Sequence, residues 1–553
     1  MATKERYTWE EVRRDNPVLS QIRTTIEAVR YGNNVYPVTT IKEAYKLAAA
    51  SPGTIVTDMP VYEPEKIGLN PDAKVLLFND GAVKGRCAAA RRILGEPGVD
   101  QEEYAGKIRE AIYHTRYRTM YHATAYVGLD PDFMVKAHLM IPENHENIMY
   151  SWLLNFQFIT QEYFEMYQKS HDLSHEGDIY IFSDPEWKHP DHPLGLTFFD
   201  PEHNCAALLG MRYFGEHKKG TLTLGWGIAN RNGYASCHGG QKRYNLSDGS
   251  KFVAGVFGLS GSGKSTITHA RHDDKYDITV LHDDAFIISA EDGSSVALEP
   301  AYFDKTQDYP LADDDNTYLL TVQNNGATID SEGNVVLVTE DMRNGNGRAV
   351  KSKLWSPNRE DKFPEPCNTI IWLMKDPTLP PVLKVNDPTL ASVMGATLAT
   401  KRTSAERLAE GVDPDALVVE PYANPFRTYP LVQDYEKFKA LFEKRGVDCY
   451  IFNTGSFMDK KVTKEVTLGS LEKIIEGSAT FKPFAGLESV GYMPVDGYEP
   501  DLKDAAYRKQ FVARMKDRVD YIASRKDTRG GFDKLPDEAL ESMETVLKKI
   551  QSL

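Results

Sequence analysis

At residues 252–266 the chain reads Phe-Val-Ala-Gly-Val-Phe-Gly-Leu-Ser-Gly-Ser-Gly-Lys-Ser-Thr. The first six residues are a short apolar run of the kind that predicts a buried β-strand stopping at a glycine. The next nine fit the pattern G-x-x-x-x-G-K-[ST], in which backbone N–H groups and a helix N-terminus surround phosphate oxygens. The stretch therefore predicts a phosphate cradle (P-loop) for a nucleoside triphosphate, made by Gly258, Leu259, Ser260, Gly261, Ser262, Gly263, Lys264, Ser265 and Thr266.

Two side chains of the P-loop and two carboxylates after it predict a metal-bound nucleotide. Lys264 is expected to reach the β- and γ-phosphates, and the Ser265 hydroxyl to ligate Mg²⁺. Enzymes of this kind also place an acidic residue after a second strand. Asp283 and Asp284 follow the apolar run 278–281, so we expect them to hold the cation directly and through water. The alternative is a capped turn, where aspartate pairs are common.

The length of the chain predicts more than one domain. It has 553 residues, whereas a single hydrophobic core stops growing at roughly 250–300 residues. We predict an α/β fold with an N-terminal α/β domain over residues 1–238 and a C-terminal P-loop domain over 239–553. The polar, glycine-rich stretch 239–249 marks the boundary, and the cleft between the two domains is expected to hold the active site.

Local patterns predict individual elements on both sides of that boundary. Helices are expected over residues 41–50, 101–118, 435–445 and most of a C-terminal tail, 504–550, with a break near Gly530 and Gly531. Strands are expected over residues 74–78, 196–199, 221–224, 252–257, 278–281 and 448–453. Strands and helices alternate in the second half of the chain, which is typical of an α/β domain.

The composition limits the partners and the location of the protein. A formal net charge of −15 argues against a general nucleic-acid binder, which needs a basic surface. The chain has no run of about 18 apolar residues that would predict a membrane span. Its charged N-terminus has no apolar stretch behind it and does not resemble a secretory signal. The cytoplasm is the expected location, because a reducing compartment suits the widely spaced cysteines Cys87, Cys205, Cys237, Cys367 and Cys449.

Two further stretches suit metal or phosphate chemistry but are ambiguous by themselves. Residues 213–220 read Tyr-Phe-Gly-Glu-His-Lys-Lys-Gly, which a solvated charged turn would also explain, and an isolated histidine such as His238 is more often structural. Together with the P-loop and the Asp283-Asp284 pair, these stretches resemble the ATP-dependent phosphoenolpyruvate carboxykinase family in their order and separations. Further similarities to that family cover most of the chain, at residues 125–132, 302–306, 339–343, 379–382, 395–400, 453–455, 460–463 and 467.

The resemblance implies a reaction and two metal ions. The family converts oxaloacetate and ATP to phosphoenolpyruvate, CO₂ and ADP, with Mg²⁺ on the nucleotide and Mn²⁺ at the substrate. By similarity, Lys219, His238 and Asp284 would ligate the Mn²⁺, and Ser265 would serve the Mg²⁺. A lysine ligates a cation as the neutral amine, which burial beside a second positive charge such as Lys218 favours.

The same resemblance assigns other residues to the substrates. Arg86 would grip the substrate carboxylate, and Tyr213 would lie near the departing CO₂. The cations that would neutralise the transferring phosphoryl group are Lys264, Lys305 and Arg343. The stretch that is similar to the family's adenine-binding segment contains Lys461, Val462 and Thr467. Residues 395–400 are similar to its lid, which must exclude water because water would protonate the enolate.

The chain departs from the family pattern at two places. After Arg86 the family usually has Ser-Pro-Lys-Asp-Lys, whereas residues 87–91 read Cys-Ala-Ala-Ala-Arg. After His238 the residues 239–242 read Gly-Gly-Gln-Lys where the family has Ser-Ala-Asn-Val. Three functions stay open as a result: the reversible carboxykinase reaction, phosphorylation of a different small carboxylic acid, and nucleotide-dependent regulation without turnover. Retention of the residues of a second metal site argues against the regulator.

Overall fold

The computed structural model describes residues 7–13, 16, 18–78, 87–259, 261–308, 313–341, 347–401, 411 and 417–553. The chain forms two compact units. The first consists of Met1–Ile228, Leu298–Pro357 and Ser404–Val412, and the second of Ala229–Ala297, Asn358–Thr403 and Asp413–Leu553. The P-loop belongs to the second unit. The predicted division into a substrate-side domain over residues 1–238 and a nucleotide-binding domain over residues 239–553 stays a prediction.

The first unit begins with mixed helices and strands. Its helices are α1 (Gln21–Ala28), α2 (Ile41–Ala50), α3 (Gln101–Thr115), α4 (Glu146–Asn155), α5 (Gln161–Gln168) and α6 (Phe214–Arg231), the last of which continues into the second unit. Its strands up to residue 228 are β1 (Val35–Val38), β2 (Thr54–Pro60), β3 (Lys74–Phe78), β4 (Arg91–Ile93), β5 (Met120–Asp130), β6 (Phe133–Pro142), β7 (Gln157–Phe158), β8 (Ile179–Asp184), β9 (Leu196–Asp200) and β10 (Cys205–Leu209). The elements predicted at residues 41–50, 74–78 and 196–199 are confirmed, and the helix predicted over 101–118 ends at Thr115.

The strand predicted over residues 221–224 is wrong, because these residues lie inside the helix α6. Their Thr-Leu-Thr-Leu alternation is typical of a strand with one buried face. In the structure all four side chains are buried, so the alternation does not separate an inner face from an outer one. The Thr221 hydroxyl donates to the carbonyl of His217 one turn earlier and accepts from the Trp152 indole at 2.9 Å. Tertiary packing thus overrides the local pattern.

The remaining elements alternate between the two units. Residues 229–297 contain β11 (Tyr234–Asn245), β12 (Lys251–Phe257), α7 (Lys264–His269), β13 (Asp277–His282), β14 (Ala285–Ser289) and β15 (Ser295–Ala297). Residues 298–357, in the first unit, contain β16 (Tyr302–Lys305), β17 (Leu319–Gln323), β18 (Gly326–Ile329), β19 (Val335–Val338) and β20 (Arg348–Lys351). The rest of the second unit contains β21 (Lys362–Phe363), β22 (Thr369–Met374), β23 (Val382–Val385), α8 (Pro388–Ala396), β24 (Ala399–Lys401), β25 (Leu417–Val419), α9 (Leu431–Arg445), β26 (Asp448–Asn453), β27 (Ser456–Phe457), β28 (Lys460–Lys461), α10 (Lys464–Ile475), β29 (Lys482–Phe484), β30 (Leu487–Tyr492), α11 (Ala505–Ser524) and α12 (Asp537–Gln551).

Two sheets organise the first unit. One has the strand order β1-β5-β6-β8-β10-β9-β4 with β7 paired to β5, and the other has the order β16-β20-β17-β3-β2. On the first sheet, Ile26 of α1 and Ile108 of α3 belong to one buried cluster with Phe182 and Phe198. The second sheet joins a strand from the start of the chain, β3, to strands from residues 298–357 through the parallel pair β3–β17. The first unit is therefore completed by a segment that follows the P-loop in the sequence.

The second unit is built on one large sheet with the P-loop strand in its interior. Its order is β21-β15-β14-β11-β12-β22-β26-β23-β30-β29, with β13 also paired to β11. β12 is parallel to β22, which is parallel to β26, so the carboxyl ends of these three strands meet at one edge. Ligands of open α/β sheets bind at that edge. The strands predicted at 252–257, 278–281 and 448–453 and the helix at 435–445 are confirmed, as is the helical tail with its break before α12.

The observed architecture is thus mixed α/β, as predicted. Within the part of the chain that the structure describes, no helix is both long enough and apolar enough to cross a membrane.

Candidate functional site

The P-loop has the strand–loop–helix structure that its sequence pattern predicts. β12 ends at Phe257 and α7 begins at Lys264. The turn between them uses positive φ angles at Gly261 (79°) and Gly263 (95°), which glycine adopts at no steric cost. Gly263 is the N-cap of α7, and its carbonyl accepts from the Ile267 N–H at 2.9 Å. The first N–H groups of α7 are therefore directed towards the loop, as phosphate binding requires.

Close packing sets the shape of the loop. A Cβ atom at Gly258 would lie 2.3 Å from the Ser262 hydroxyl oxygen, so glycine is needed there. The Ser262 N–H donates to the Leu259 carbonyl at 3.0 Å and closes a tight turn. Ser265 and Thr266 are exposed at the start of α7, whereas Lys264 is buried. Ser260 lies outside the described residues.

Strand pairing brings the predicted histidine and aspartate together. β11 pairs with β14 so that His238 is opposite Ala285, and the Gly239 N–H donates to the Asp284 carbonyl at 3.1 Å. The turn from β13 to β14 is held by His282 Nδ1, which accepts from the N–H groups of Asp284 and Ala285 at 3.1 and 3.2 Å. The Asp284 side chain is thereby placed beside His238.

The carboxylate of Asp284 joins the histidine to the P-loop lysine. Its Oδ1 atom lies 3.1 Å from His238 Nε2 and 3.3 Å from Lys264 Nζ. His238 Nδ1 lies 2.5 Å from the carbonyl of Ala423. Since a carbonyl can only accept, Nδ1 carries a proton, and Nε2 holds the lone pair in the neutral ring. This is the tautomer in which histidine binds cations through Nε2.

Asp283 has different partners from its neighbour. It is buried, and its Oδ2 lies 3.4 Å from Nε2 of His269, the last residue of α7. Burial by itself would raise the pKa of Asp283, but the hydrogen bond from His269 and the positive charges of His269, His282 and Lys264 hold it well below its usual range. Asp283 therefore stays ionised at neutral pH and ties the C-terminal end of the P-loop helix to the turn after β13.

The side chains of the second unit fit a divalent cation in part. A carboxylate oxygen and an imidazole nitrogen 3.1 Å apart, with the tautomer just described, are ligands that Mn²⁺ accepts. A hydroxyl at the start of the P-loop helix, that of Ser265, suits Mg²⁺ on a nucleotide. No group of three or more His, Cys, Asp or Glu residues that could hold a metal ion occurs among the described residues. His238 and Asp284 are thus two candidate ligands among the described residues of the second unit.

Three predicted residues of the first unit, Tyr213, Lys218 and Lys219, lie just before or within the start of α6. Tyr213 is buried beside Phe78 and Phe303, and a Cβ atom at Gly215 would come within 2.2 Å of its ring. The Lys218 ammonium is buried 3.0 Å from the Glu299 carboxylate, whose other oxygen accepts from the Asn155 amide at 2.6 Å. Lys218 and Glu299 form a buried ion pair that sequence reasoning did not foresee.

Lys219, next along the helix, has a different neighbour. Its Nζ atom lies 5.7 Å from the centre of the Trp226 ring, two turns further along α6. The lysine side chain is partly buried. Helix α6 thus separates the two consecutive lysines, one held by a carboxylate and the other lying over an aromatic ring.

Lys305 of β16 faces an arginine that the sequence analysis overlooked. The predicted Arg343 lies outside the described residues, as does Arg86. Five residues after Arg343, Arg348 is buried in β20, directly opposite Lys305 in the antiparallel β16–β20 pair. Directly opposite residues share a face of the sheet. The sequence signal for Arg348 is its position just beyond the segment 339–343. Its relation to Lys305 depends on the pairing of β16 and β20, which the sequence does not show.

The stretch similar to an adenine-binding segment forms a hairpin and a helix start. Lys461 ends β28 with an exposed side chain, and Val462 is buried with its N–H donating to the Gly455 carbonyl at 2.9 Å. Thr467, in the first turns of α10, donates through its hydroxyl to the Thr463 carbonyl at 3.1 Å. Val462 and Thr467 are therefore held in place, while Lys461 can reach a ligand; their role in binding adenine stays a prediction.

Comparison with known proteins agrees with this arrangement. The family model PEPCK_ATP, described as phosphoenolpyruvate carboxykinase, matches residues 70–485, which include the P-loop, His238 and Asp284. A protein of Aeropyrum pernix named phosphoenolpyruvate carboxykinase (ATP) is 25% identical over 338 residues, which cover 58% of this chain and 67% of that protein. Since the family match spans well over half of the 553 residues, this chain belongs to the ATP-dependent phosphoenolpyruvate carboxykinase family.

Proposed function

We propose that this chain converts oxaloacetate and ATP to phosphoenolpyruvate, CO₂ and ADP, and catalyses the reverse reaction. The observation that carries the proposal is the contact of Asp284 with both Lys264 and His238. It couples a phosphate-binding lysine to a cation-binding histidine in a member of this family. A nucleotide sensor without turnover has no need for such a second site.

The nucleotide is assigned to the second unit. Backbone N–H groups of the P-loop would bind the phosphates, with Lys264 at the β- and γ-phosphates and Lys461, Val462 and Thr467 near the adenine. Ser265, with Asp283 and Asp284 nearby, would hold Mg²⁺, and Lys219, His238 and Asp284 would ligate Mn²⁺ at the substrate. Bound cations of this kind polarise a keto acid and neutralise phosphate charge.

The acid is assigned to the first unit, following the two-domain plan of the family. Arg86 would bind its carboxylate, with Tyr213 near the departing CO₂. Breaking the bond to the departing carboxylate leaves its electron pair in an enolate, whose oxygen then attacks the γ-phosphorus as the bond to ADP breaks. Lys264, Lys305 and Arg343 would offset the charge on the transferring phosphoryl group, and Arg348 beside Lys305 belongs with them. Lys218, paired with Glu299, would position the start of α6.

A second function is favoured by the sequence after Arg86. Residues 87–90 offer no lysine, aspartate or proline, so the acid phosphorylated by this chain could differ from oxaloacetate while the nucleotide residues stay the same. The test is to incubate the protein with ATP, Mg²⁺, Mn²⁺ and oxaloacetate and to measure phosphoenolpyruvate. Phosphoenolpyruvate above the spontaneous decarboxylation background is expected. ADP formed with another small acid, but not with oxaloacetate, would support the second function instead.

A further inference from the structure

A cavity of about 570 Å³ lies in the first unit, beside Tyr213 and Cys87. Its volume falls in the range of roughly 300–1,000 Å³ that is common for small-molecule sites. Besides these two residues, the side chains that matter in its lining are Glu186, Lys188, His189 and Arg212. Tyr213, the residue assigned near the departing CO₂, lines the cavity, so the cavity adjoins the acid side of the proposed reaction.

The wall of the cavity is rigidly built. Most of it comes from the loop 185–195 between β8 and β9 and from residues 210–213 after β10. The Gly210 N–H donates to the Asp184 carbonyl at 2.9 Å, and a Cβ atom at Gly210 would lie 2.8 Å from the Trp187 carbonyl oxygen. On the other side, the Cys87 N–H donates to the Glu216 carboxylate at 3.0 Å. Backbone contacts therefore hold the cavity open in a defined shape.

The charges around the cavity favour an anion. Lys188 and Arg212 are positive, whereas the carboxylate of Glu186 already lies 3.4 Å from Arg118 and 3.5 Å from His145. His189 Nδ1 accepts from the Asp191 N–H at 3.2 Å, so the neutral ring carries its proton on Nε2 and can donate there. Arg118 also contacts Asp184 at 3.4 Å, so it offsets Glu186 in part. Lys188, Arg212 and the His189 donor are the lining groups that can bind a carboxylate.

His192 also lines the cavity, and its ring contacts a lysine. Its Nε2 lies 3.0 Å from the Lys107 ammonium, which can only donate. Burial, followed by the charge of Lys107, lowers the pKa of His192. The ring is therefore neutral at neutral pH, and the charge of Lys107 behind it is matched by Glu103 at 2.6 Å and Asp191 at 3.7 Å.

We propose that this cavity holds a carboxylate of the acceptor acid through Lys188 and Arg212, which take the place of the lysines missing after Arg86. The inference rests on the proposed function for the identity of the acid. The small side chain of Cys87 borders the space, and Lys188 of the loop 185–195 together with Arg212 provides the charge. The acid-binding cations of this chain thus come from other segments than in the family pattern.

The test combines direct binding with kinetics. Lys188→Met and Arg212→Met are compared with Lys169→Met, an exposed lysine of the same unit that does not line the cavity. Malonate, a stable dicarboxylate, serves as the probe in calorimetry without nucleotide. Each cavity variant is expected to bind malonate about tenfold more weakly and to raise the KM for oxaloacetate by a similar factor, with the KM for ATP unchanged. Circular dichroism checks that the variants are folded.

The outcomes separate this inference from the proposed function. Malonate affinity and oxaloacetate KM that are equal in the cavity variants and in Lys169→Met would overturn the inference. So would malonate binding that does not compete with oxaloacetate, because the cavity would then serve a second acid molecule. If the wild-type protein forms no phosphoenolpyruvate but the cavity variants still lose malonate binding, the proposed function fails and the cavity stands as an acid site.

Discussion

Two stretches differ from the sequence that is usual in the family, residues 239–242 and residues 87–91. The space around the first is filled by side chains, whereas the second borders a cavity. At the first stretch the P-loop helix fills the space, because a Cβ atom at Gly240 would lie 2.0 Å from the Thr268 hydroxyl oxygen. At the second stretch the small side chain of Cys87 borders a cavity of about 570 Å³. Packing against the P-loop helix therefore accommodates the altered residues 239–242, whereas the altered residues 87–91 lie beside space for a ligand.

This difference agrees with the proposal that the second unit binds the nucleotide and the first unit binds the acid. The glycines after His238 let α7 lie close to β11 and so keep Lys264 near Asp284. The altered residues 239–242 thus leave the contact between Lys264 and Asp284 in place. On the acid side, we propose that Lys188 and Arg212 bind the acid in place of the lysines missing after Arg86. We expect substitutions near the P-loop to affect turnover or stability, and substitutions near the cavity to affect acid affinity.

We expect the greatest loss of turnover from Lys264→Ala. Removing a positioned charge at the reacting phosphoryl group should lower kcat by at least about 10²–10³-fold, while Asp284 keeps its contact with His238. Steady-state kinetics with saturating ATP measure the loss, and the exposed Lys482→Ala serves as the control. Near-normal turnover of Lys264→Ala would place the phosphates elsewhere and remove the basis of the comparison.

Arg348→Ala tests whether the first unit supplies a second phosphoryl-binding cation beside Lys305. We expect kcat to fall by roughly 10–100-fold, since a charge-assisted hydrogen bond in a closed site contributes about 1.5–3 kcal/mol. Arg343→Ala, measured in parallel, shows whether both arginines act. Arg348→Lys keeps a positive charge and is expected to lose less. Full activity of Arg348→Ala would reduce this residue to a structural role in β20.

Gly240→Ala tests the packing explanation for residues 239–242. The added methyl group would press on Thr268 of α7, and overpacking of this kind costs about 1–3 kcal/mol of unfolding free energy. Denaturant unfolding gives the value. Gly469→Ala is the contrasting variant: a Cβ atom at this glycine of α10 meets nothing within 4 Å, and alanine in a helix should raise the unfolding free energy by up to about 1 kcal/mol. A Gly240→Ala variant as stable as the wild type would show that the P-loop helix does not depend on the glycine.

The smallest expected effect is a pH dependence caused by Lys242. Its buried ammonium donates to the carbonyl of Ala270 at 3.1 Å, just beyond α7. Burial lowers the pKa of Lys242 to about 7. An unfolded chain keeps a lysine protonated up to about pH 10, so between these values the unfolded state binds the extra proton and stability rises with pH.

Lys242→Met should remove this contribution. We expect the unfolding free energy of the wild type to increase by about 1–2 kcal/mol relative to that of the variant between pH 7 and pH 9. Urea unfolding at the two pH values measures the difference, because the other titrating groups are common to both proteins. Parallel pH profiles would mean that Lys242 stays charged in the folded protein.

Several parts of the candidate site could be predicted because they depend on neighbouring residues alone. The glycines of the P-loop, the apolar run before it and the helix after it specify their conformation locally, and the structure agrees with that prediction. The strand predicted over residues 221–224 was wrong because all four side chains are buried. An alternating pattern predicts a strand only where one face is exposed. Arg348 was missed because its relation to Lys305 exists through strand pairing, which no spacing in the sequence reveals.

The conformation of the P-loop follows from residues close together along the chain, and the order of the motifs along the sequence indicated the family. The tertiary structure decided which distant groups meet. The register of β11 and β14 places His238 against Asp284, and the pairing of Lys218 with Glu299 distinguishes that lysine from Lys219. Packing also places Cys87 beside a cavity that Lys188 and Arg212 line. The physical reason is that backbone preferences are local, whereas charge contacts and empty space depend on everything that packs around a residue.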